Sequence, residues 1–187
     1  MNEPMNKIDR LVQSYSAYIS IPWRADAAPD QRVIFCVYDE NDELRLRAKI
    51  DEFEIVTKKT RHEWALFDLT ETFPLWLSSQ RYAEKYYQSP ELLPPLLAKY
   101  QAFLAEKFST FLLEKESDEN CVVGVMGVGS LFGFLKVKEV VDKLAPMVKG
   151  RLLVFFPGSY ENNNYRLLDA YDGWNYMAVT LIPEKTL

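Results

Sequence analysis

A glycine-rich segment that follows an apolar run has the residue types of a phosphate-binding loop. Gly127, Gly129, Ser130 and Gly133 could present backbone N–H groups to a phosphate at the start of a helix. The Walker pattern also requires a lysine, and none follows Gly129. The dinucleotide-binding pattern does not fit either, because it requires one residue fewer between its last two glycines than lie between Gly129 and Gly133. The segment therefore predicts either a nucleotide-binding turn or a tight turn that lets a strand and a helix pack closely.

Other groups of reactive side chains are incomplete. His62 is the only histidine, and with no evident acid or cysteine partner it is expected to be a solvated loop residue. Ser130 lacks the Gly-x-Ser-x-Gly context of a hydrolase nucleophile. Several acidic and amide positions favour helix caps or turns over metal binding, because the calcium-loop glycine or a third acid is missing. They are Asp39, Asn41, Glu43, Asp68, Glu71, Asp169 and Asp172. The sequence predicts no catalytic centre, no metal and no cofactor.

The stretch 155–176 joins two strand-like runs without a long helix. Its Pro-Gly pair predicts a sharp turn, and its three consecutive asparagines tolerate turn conformations. Tyrosine, tryptophan and arginine dominate binding hot spots, so we predict a partner-recognition loop. The predicted contacts are Pro157, Gly158, Tyr160, Asn162, Asn163, Asn164, Tyr165, Arg166, Asp169 and Trp174. The alternative is an ordered connector whose aromatic side chains extend the core.

Both candidate segments follow apolar runs that are typical of strands. Five such runs are expected, at 33–38, 64–67, 121–126, 152–156 and 176–181. Strands separated by helical segments imply right-handed crossovers, and hence an α/β fold with a mostly parallel five-stranded sheet and helices on both faces. In such sheets ligands and partners meet the carboxyl ends of the strands. Residues 1–187 are interpreted as a single domain, with residues 1–30 forming an N-terminal helix and loop that pack on it.

Helical periodicity predicts four helices that cover the sheet. The inward stripes are Ile8, Leu11, Val12 and Tyr15 in the first helix; Leu46, Ile50 and Phe53 in the second; Leu96, Leu97, Tyr100, Phe103, Leu104, Phe108, Phe111 and Leu112 in a long third; and Val137, Val140, Val141 and Leu144 in a fourth. Asn41 or Asp42 is expected to cap the second helix. Asp68 and Glu71 have the spacing of a capping box for the next one.

Composition indicates an ordinary globular protein. With 187 residues, 48% of them hydrophobic, the chain is long enough to bury roughly 70% of its unfolded surface. A net charge of −5 disfavours autonomous DNA binding. Direct DNA contact would depend on Arg45, Arg47, Lys58, Lys59 and Arg61. No secretory signal or membrane segment is evident, and two cysteines in apolar runs fit a cytoplasmic setting.

Several motifs together resemble one known family. They are Phe35-x-Val-Tyr-Asp39, Asp42-Glu-Leu-Arg45-Leu-Arg47, the turn 127–133, the run 150–158 with Asn162-Asn-Asn-Tyr-Arg-Leu-Leu-Asp169, and Gly173-Trp-Asn-Tyr176. Because of these motifs, the chain resembles proteins of the BrxB family over nearly the whole length of the chain. BrxB proteins are small components of bacteriophage exclusion (BREX) systems.

The resemblance implies a role in bacterial defence against phage. The family's operon also encodes a DNA methyltransferase, a large ATPase and PglZ, a protein similar to alkaline phosphatases. No catalytic residues of the family are available to carry over. We therefore expect a non-catalytic assembly or adaptor subunit that binds PglZ and other BREX proteins, contacts nucleic acid only through the complex and has no membrane partner. Its homo-oligomeric state is left open. The alternatives are a nucleotide-binding regulatory subunit that uses the turn 127–133, and a DNA-contacting subunit.

Overall fold

A parallel sheet forms the middle layer of the molecule. A computed structural model describes residues 5–170 and 173–183. The strands are β1 (Val33–Tyr38), β2 (Glu63–Asp68), β3 (Cys121–Met126), β4 (Arg151–Glu161), β5 (Asn164–Leu167) and β6 (Val179–Leu181). Five of them are parallel, in the order β2-β3-β4-β1-β6, and β5 pairs antiparallel with β4. The predicted α/β fold with a mostly parallel five-stranded sheet is confirmed.

Helices cover both faces of the sheet. They are α1 (Lys7–Ile19), α2 (Glu43–Lys59), α3 (Thr72–Ser78), α4 (Ala83–Gln88), α5 (Leu97–Glu114) and α6 (Val137–Leu144). One apolar core joins α1 and α2 to Ile34 and Phe155; the other joins α3, α5 and α6 to Phe35 and Phe156. Within the described residues no helix is long and apolar enough to cross a bilayer.

Burial follows the position of each strand. Every residue of β1 and β3 is buried, because helices cover both sheet faces. The edge strand β6 has three residues, so the predicted strand 176–181 is wrong over its first half. There the Ala178 N–H bonds back to the Tyr176 carbonyl at 3.0 Å, and this tight turn keeps Tyr176 out of the ladder.

The predicted helical stripes are confirmed except at Leu96, which lies in a 3₁₀ turn before α5. The predicted caps differ. Asp42 precedes α2, yet its carboxylate accepts a hydrogen bond from Arg45 at 3.0 Å instead of capping the helix. The capping box is wrong as well. The Asp68 carboxylate accepts from the Thr70 N–H at 2.9 Å, and Glu71 makes no capping bond. Asp68 therefore fixes the turn after β2 rather than the start of α3.

The predicted turn at Pro157 and Gly158 is wrong. β4 continues through both residues, pairing Pro157 with Tyr38 and Gly158 with Leu167. A Cβ atom at Gly158 would lie 2.0 Å from the Arg166 carbonyl oxygen, so the close approach of β5 requires glycine here. β4 thus leaves the parallel sheet and becomes the first strand of a hairpin.

The chain reverses at Asn162 and Asn163 instead. Both have positive φ angles, 51° and 62°, and they lie between the paired residues Glu161 and Asn164. Two left-handed residues are the mark of a type I′ hairpin turn, in which asparagine is favoured. The asparagines therefore serve the hairpin turn, and their side chains remain exposed at its tip.

Candidate functional site: a cleft beside the C-terminal hairpin

An open cleft of about 860 Å³ lies between two segments near the carboxyl ends of the strands. Residues 132–139, which lead from β3 into α6, form one wall. The other wall is formed by Leu167, Asp169, Ala170, Gly173 and Trp174. The cleft therefore joins the predicted glycine-rich segment to the predicted recognition segment.

A cluster of aromatic rings supports the second wall. The backbone N–H groups of Tyr165 and Trp174 donate to each other's carbonyl oxygens, and their rings stack with centroids 5.1 Å apart. Phe35 and Phe156 contact both rings edge-on or at a tilt. The hydroxyl of Tyr165 hydrogen-bonds to Thr180, and burial raises its pKa above the ordinary tyrosine value. Trp174 is thus held in place by the core.

The cleft is lined by apolar side chains and rimmed by charge. Phe132 is 44% exposed although it is large and apolar. Lys136, Lys138 and Glu139 are exposed at the start of α6, and Asp169 is exposed on the opposite wall. Lys138 also pairs with Asp142 at 3.1 Å. An apolar floor with an aromatic anchor and a polar rim is the composition of a protein-binding surface.

The predicted partner contacts separate into three groups. Asn162, Asn163, Asn164, Arg166 and Asp169 are exposed, Gly158, Tyr160 and Trp174 are partly buried, and Pro157 and Tyr165 are buried. Tyr165 has no exposed surface, so direct partner contact through its side chain does not fit the structure. The recognition and connector interpretations thus apply to different residues: the polar side chains face solvent, and Tyr165 extends the core. Trp174 does both, since it packs against the core and lines the cleft.

The predicted nucleotide-binding residues are not brought together. Gly127, Gly129 and Ser130 line a separate crevice of about 240 Å³ at the strand ends, whereas Gly133 lines the cleft. A 3₁₀ turn follows Gly127, and α6 begins only at Val137. A phosphate loop requires an α-helix that begins directly after the turn, and no α-helix begins there.

Packing accounts for the glycine at the start of this turn. Gly127 has a φ of 76°, and a Cβ atom there would lie 2.5 Å from the Thr70 hydroxyl and 2.7 Å from the Asp68 carboxylate. The Ser130 hydroxyl donates to the Gly127 carbonyl at 2.7 Å and closes the turn. These contacts support the close-packing interpretation of the segment.

The charges of the crevice do not favour a phosphate. Glu40 and Glu43 line it, and its arginine, Arg47, donates to Glu43 at 2.7 Å and lies 3.5 Å from Asp68. The guanidinium is therefore already neutralised. A volume of about 240 Å³ is also below the usual range of ligand pockets, roughly 300–1,000 Å³.

The basic residues considered for DNA contact lie at two ends of α2. Arg45 pairs with Asp42, and Arg47 pairs with Glu43, near the start of the helix. Lys58 pairs with Glu54 in the last turn of the helix, about 20 Å away at 1.5 Å per residue. The five residues do not form one basic patch.

A family model described as "BREX protein BrxB" matches residues 77–181. The match covers more than half of the chain. The chain belongs to the BrxB family. It is accordingly a BREX phage-defence component, which confirms the resemblance found in the sequence. No curated protein and no solved structure matches the chain.

The BrxB match includes both walls of the cleft and the whole hairpin. It begins within α3 and ends with β6, so α1, β1, α2 and β2 lie outside it. Apart from Gly133, sequence reasoning missed the first wall of the cleft. The signal was present as the apolar run Phe132-Gly-Phe-Leu135, which follows the glycines and precedes two lysines.

A second missed feature surrounds His62. Its ring stacks on Trp23, with centroids 3.7 Å apart, and its Nδ1 lies 2.6 Å from the Asn120 side-chain oxygen. His62 does lie in the loop before β2, as predicted, but it is partly buried and held by Trp23 and Asn120 instead of being free in solvent. The Arg151 guanidinium also lies over Trp23, 4.7 Å from the ring centroid. This assembly lies at the amino ends of the strands, remote from the cleft.

Proposed function

We propose that this BREX component is a non-catalytic assembly subunit that binds PglZ through the cleft between residues 132–139 and Trp174. The observation that carries the proposal is an open apolar cleft with an exposed phenylalanine on one wall and a fixed tryptophan on the other. Rigid aromatic anchors lose little conformational freedom on binding, so such sites dominate interface energies. Other BREX proteins are further partners in this proposal, and nucleic acid is contacted only through the complex.

The non-catalytic part of the proposal is supported by where the reactive groups lie. His62 precedes β2 and is engaged by Trp23 and Asn120. Ser130 follows β3, at the other end of a sheet whose strands are about 20 Å long. The chain's one histidine is therefore too far from Ser130 to act as its base.

The cysteines support a reducing compartment, and we propose the cytoplasm. Cys36 and Cys121 are both buried and unpaired. Burial raises the pKa of both thiols, so they remain protonated and behave as small apolar side chains.

Co-elution with purified PglZ in size-exclusion chromatography tests the proposal. Phe132→Glu places a charge in the cleft at an already exposed position and should weaken binding by about tenfold or more. Leu113→Glu is the matched control, because Leu113 is 77% exposed at the end of α5 and does not line the cleft. Trp174→Ala tests the opposite wall.

Each outcome is decisive. Binding that survives both Phe132→Glu and Trp174→Ala places the interface elsewhere. Failure of the unaltered chain to co-elute overturns PglZ as the partner. Equal losses in Phe132→Glu and Leu113→Glu would mean that added negative charge, not the cleft, is responsible.

A further inference from the structure

We propose that β2 is a docking edge for an extended, basic and apolar segment of another protein, which would add to the sheet as a further strand. This surface is separate from the cleft, because β2 lies at the edge of the sheet and β4, which carries the hairpin, is two strands away. The inference goes beyond the proposed binding of PglZ and does not depend on it.

The unpaired backbone of β2 is the first observation. β2 pairs only with β3 within the described residues. The N–H of Glu63 bonds to Asn120 and the N–H of Leu69 bonds to Met126, so the odd-numbered residues face β3. In a parallel ladder alternate residues direct their backbone groups to opposite sides. The N–H and C=O groups of Trp64, Leu66 and Asp68 therefore point away from the sheet.

The two edges of the sheet differ in length. β6, at the opposite edge, has three residues, and very short edge strands are one way in which proteins prevent unwanted pairing. β2 has six residues, Glu63–Asp68, and contains no proline. An incoming segment would therefore find an ordinary strand length to pair with.

Two hollows flank this edge, one on each face. The first, of about 250 Å³, lies beside α2 and includes Ile50, Trp64 and Leu66. The second, of about 420 Å³, lies beside α5 and includes Phe67, Phe103 and Phe111. Because the side chains of a strand alternate between faces, an added strand would direct successive side chains into one hollow and then the other.

The charge of the hollows indicates the occupant. They contain four carboxylates, from Asp51, Glu54, Glu106 and Glu114, and two lysines. Glu54 is paired with Lys58, so the acidic excess among the described residues comes from the other three. Glu63 is exposed at the start of the strand, and Asp68, which is 3.5 Å from Arg47, is exposed at its end. An excess of acidic groups around an apolar edge fits a segment with alternating apolar side chains and with lysine or arginine at the rim.

A second copy of the chain is disfavoured by the same charges. Two β2 strands paired about a two-fold axis would set α2 beside its copy and α5 beside its copy. The acidic hollow beside α2 would then adjoin its own copy, and so would the acidic hollow beside α5. Like charges opposed across an interface are unfavourable, so the occupant is a different protein.

A peptide experiment tests the edge. The probe is a labelled peptide of about seven residues in which valine alternates with lysine or threonine, and its affinity is measured by fluorescence anisotropy. Leu66→Pro removes an outward N–H without removing a bond to β3, and it should weaken binding by about tenfold. Leu66→Ala is the matched control: it loses the same side chain, keeps the N–H and should bind more tightly than Leu66→Pro.

Hydrogen exchange provides a second readout on the unaltered chain. The amides of Trp64, Leu66 and Asp68 should exchange rapidly in the free protein and slowly with the peptide bound. Slow exchange in the free protein, or equal affinities of Leu66→Pro and Leu66→Ala, overturns the docking edge. If a peptide with glutamate in place of lysine binds tightly, the proposal that the docked segment is basic is overturned. If the unaltered chain forms a dimer that Leu66→Pro dissociates, the proposal that the docked segment belongs to another protein is overturned. PglZ co-elution is scored separately, so failure here leaves the cleft proposal standing.

Discussion

Tyr165 and Trp174 are joined by two backbone hydrogen bonds, 2.8 and 3.0 Å long, and by a ring stack at 5.1 Å. Their segments are not one regular hairpin, since the pairing is an isolated bridge that brings residue 174 back onto β5. Tyr165 faces the core and Trp174 lines the cleft, so this bridge connects the stability of the core to the shape of the candidate site.

Tyr165→Ala should unfold the hairpin region rather than remove a binding contact. The side chain is fully buried and contacts four other aromatic rings, so its truncation should lower the free energy of unfolding by about 3–5 kcal/mol. Urea denaturation measures the loss. Arg166→Ala, at the next and exposed position of β5, is the control and should change stability by less than about 0.5 kcal/mol. Similar losses in the two variants would contradict the assignment of Tyr165 to the core.

The sequence predicted the parallel strands well because burial on both faces leaves a simple pattern. β1 and β3 are continuous apolar runs, and their boundaries match the predicted 33–38 and 121–126. The hairpin was missed for a physical reason. The tolerance of Asn162 and Asn163 for positive φ is a local property, whereas their use as a turn depends on pairing between β4 and β5.

Side-chain assemblies built from distant segments were beyond the reach of the sequence. Trp23, His62 and Arg151 come from three separate parts of the chain, and only the fold stacks them. The cleft likewise requires residues 132–139 and Trp174 to be brought together in space. By contrast, the lack of a lysine after Gly129 is a local property of the chain, so it argues against a Walker loop without any knowledge of the fold.

Two neighbouring glycines should respond in opposite ways to alanine. Gly127→Ala forces a side chain into a left-handed backbone and against Thr70, so stability should fall by at least about 1–2 kcal/mol. Gly129→Ala places a Cβ atom 3.6 Å from Pro157, an ordinary contact, so stability should be unchanged or rise by up to about 1 kcal/mol. Thermal unfolding of both variants measures the difference. If both alanines are tolerated, the packing explanation of the turn fails.

Alkaline pH should unfold the protein through its buried tyrosines. Burial raises the pKa of Tyr15, Tyr38 and Tyr165 above the ordinary tyrosine value, and Glu43 raises that of Tyr38 further. The unfolded chain therefore loses these protons first, so their contribution to stability is complete below about pH 10 and falls as pH rises beyond it. Tyrosinate absorbance reports the loss of the protons, and circular dichroism reports unfolding. For these buried tyrosines the two signals should change in one common step above about pH 10. The urea-unfolded chain is the control, and buried tyrosines that titrate without unfolding would contradict the expectation.

Arg151 offers a test of whether a buried charge stabilises this fold. The residue is only 7% exposed, and burial lowers the pKa of its guanidinium. Its hydrogen bonds go to the carbonyl oxygens of Gly150 and Arg24 and are long, 3.3 and 3.4 Å. Such bonds recover little of the cost of desolvating the charge, whereas the guanidinium covers the Trp23 ring, 4.7 Å from its centroid.

Arg151→Met should therefore keep the unfolding free energy within about 1 kcal/mol of the unaltered chain, or raise it, because the packing is retained and the charge is removed. Arg151→Ala removes both and should cost about 2 kcal/mol or more, since the face of Trp23 loses its cover. Urea denaturation of the two variants side by side separates packing from charge. If Arg151→Met lowers the unfolding free energy as much as Arg151→Ala does, the guanidinium charge itself stabilises the amino ends of the strands. The stack of Arg151, Trp23 and His62 is then held together by electrostatic rather than apolar contacts.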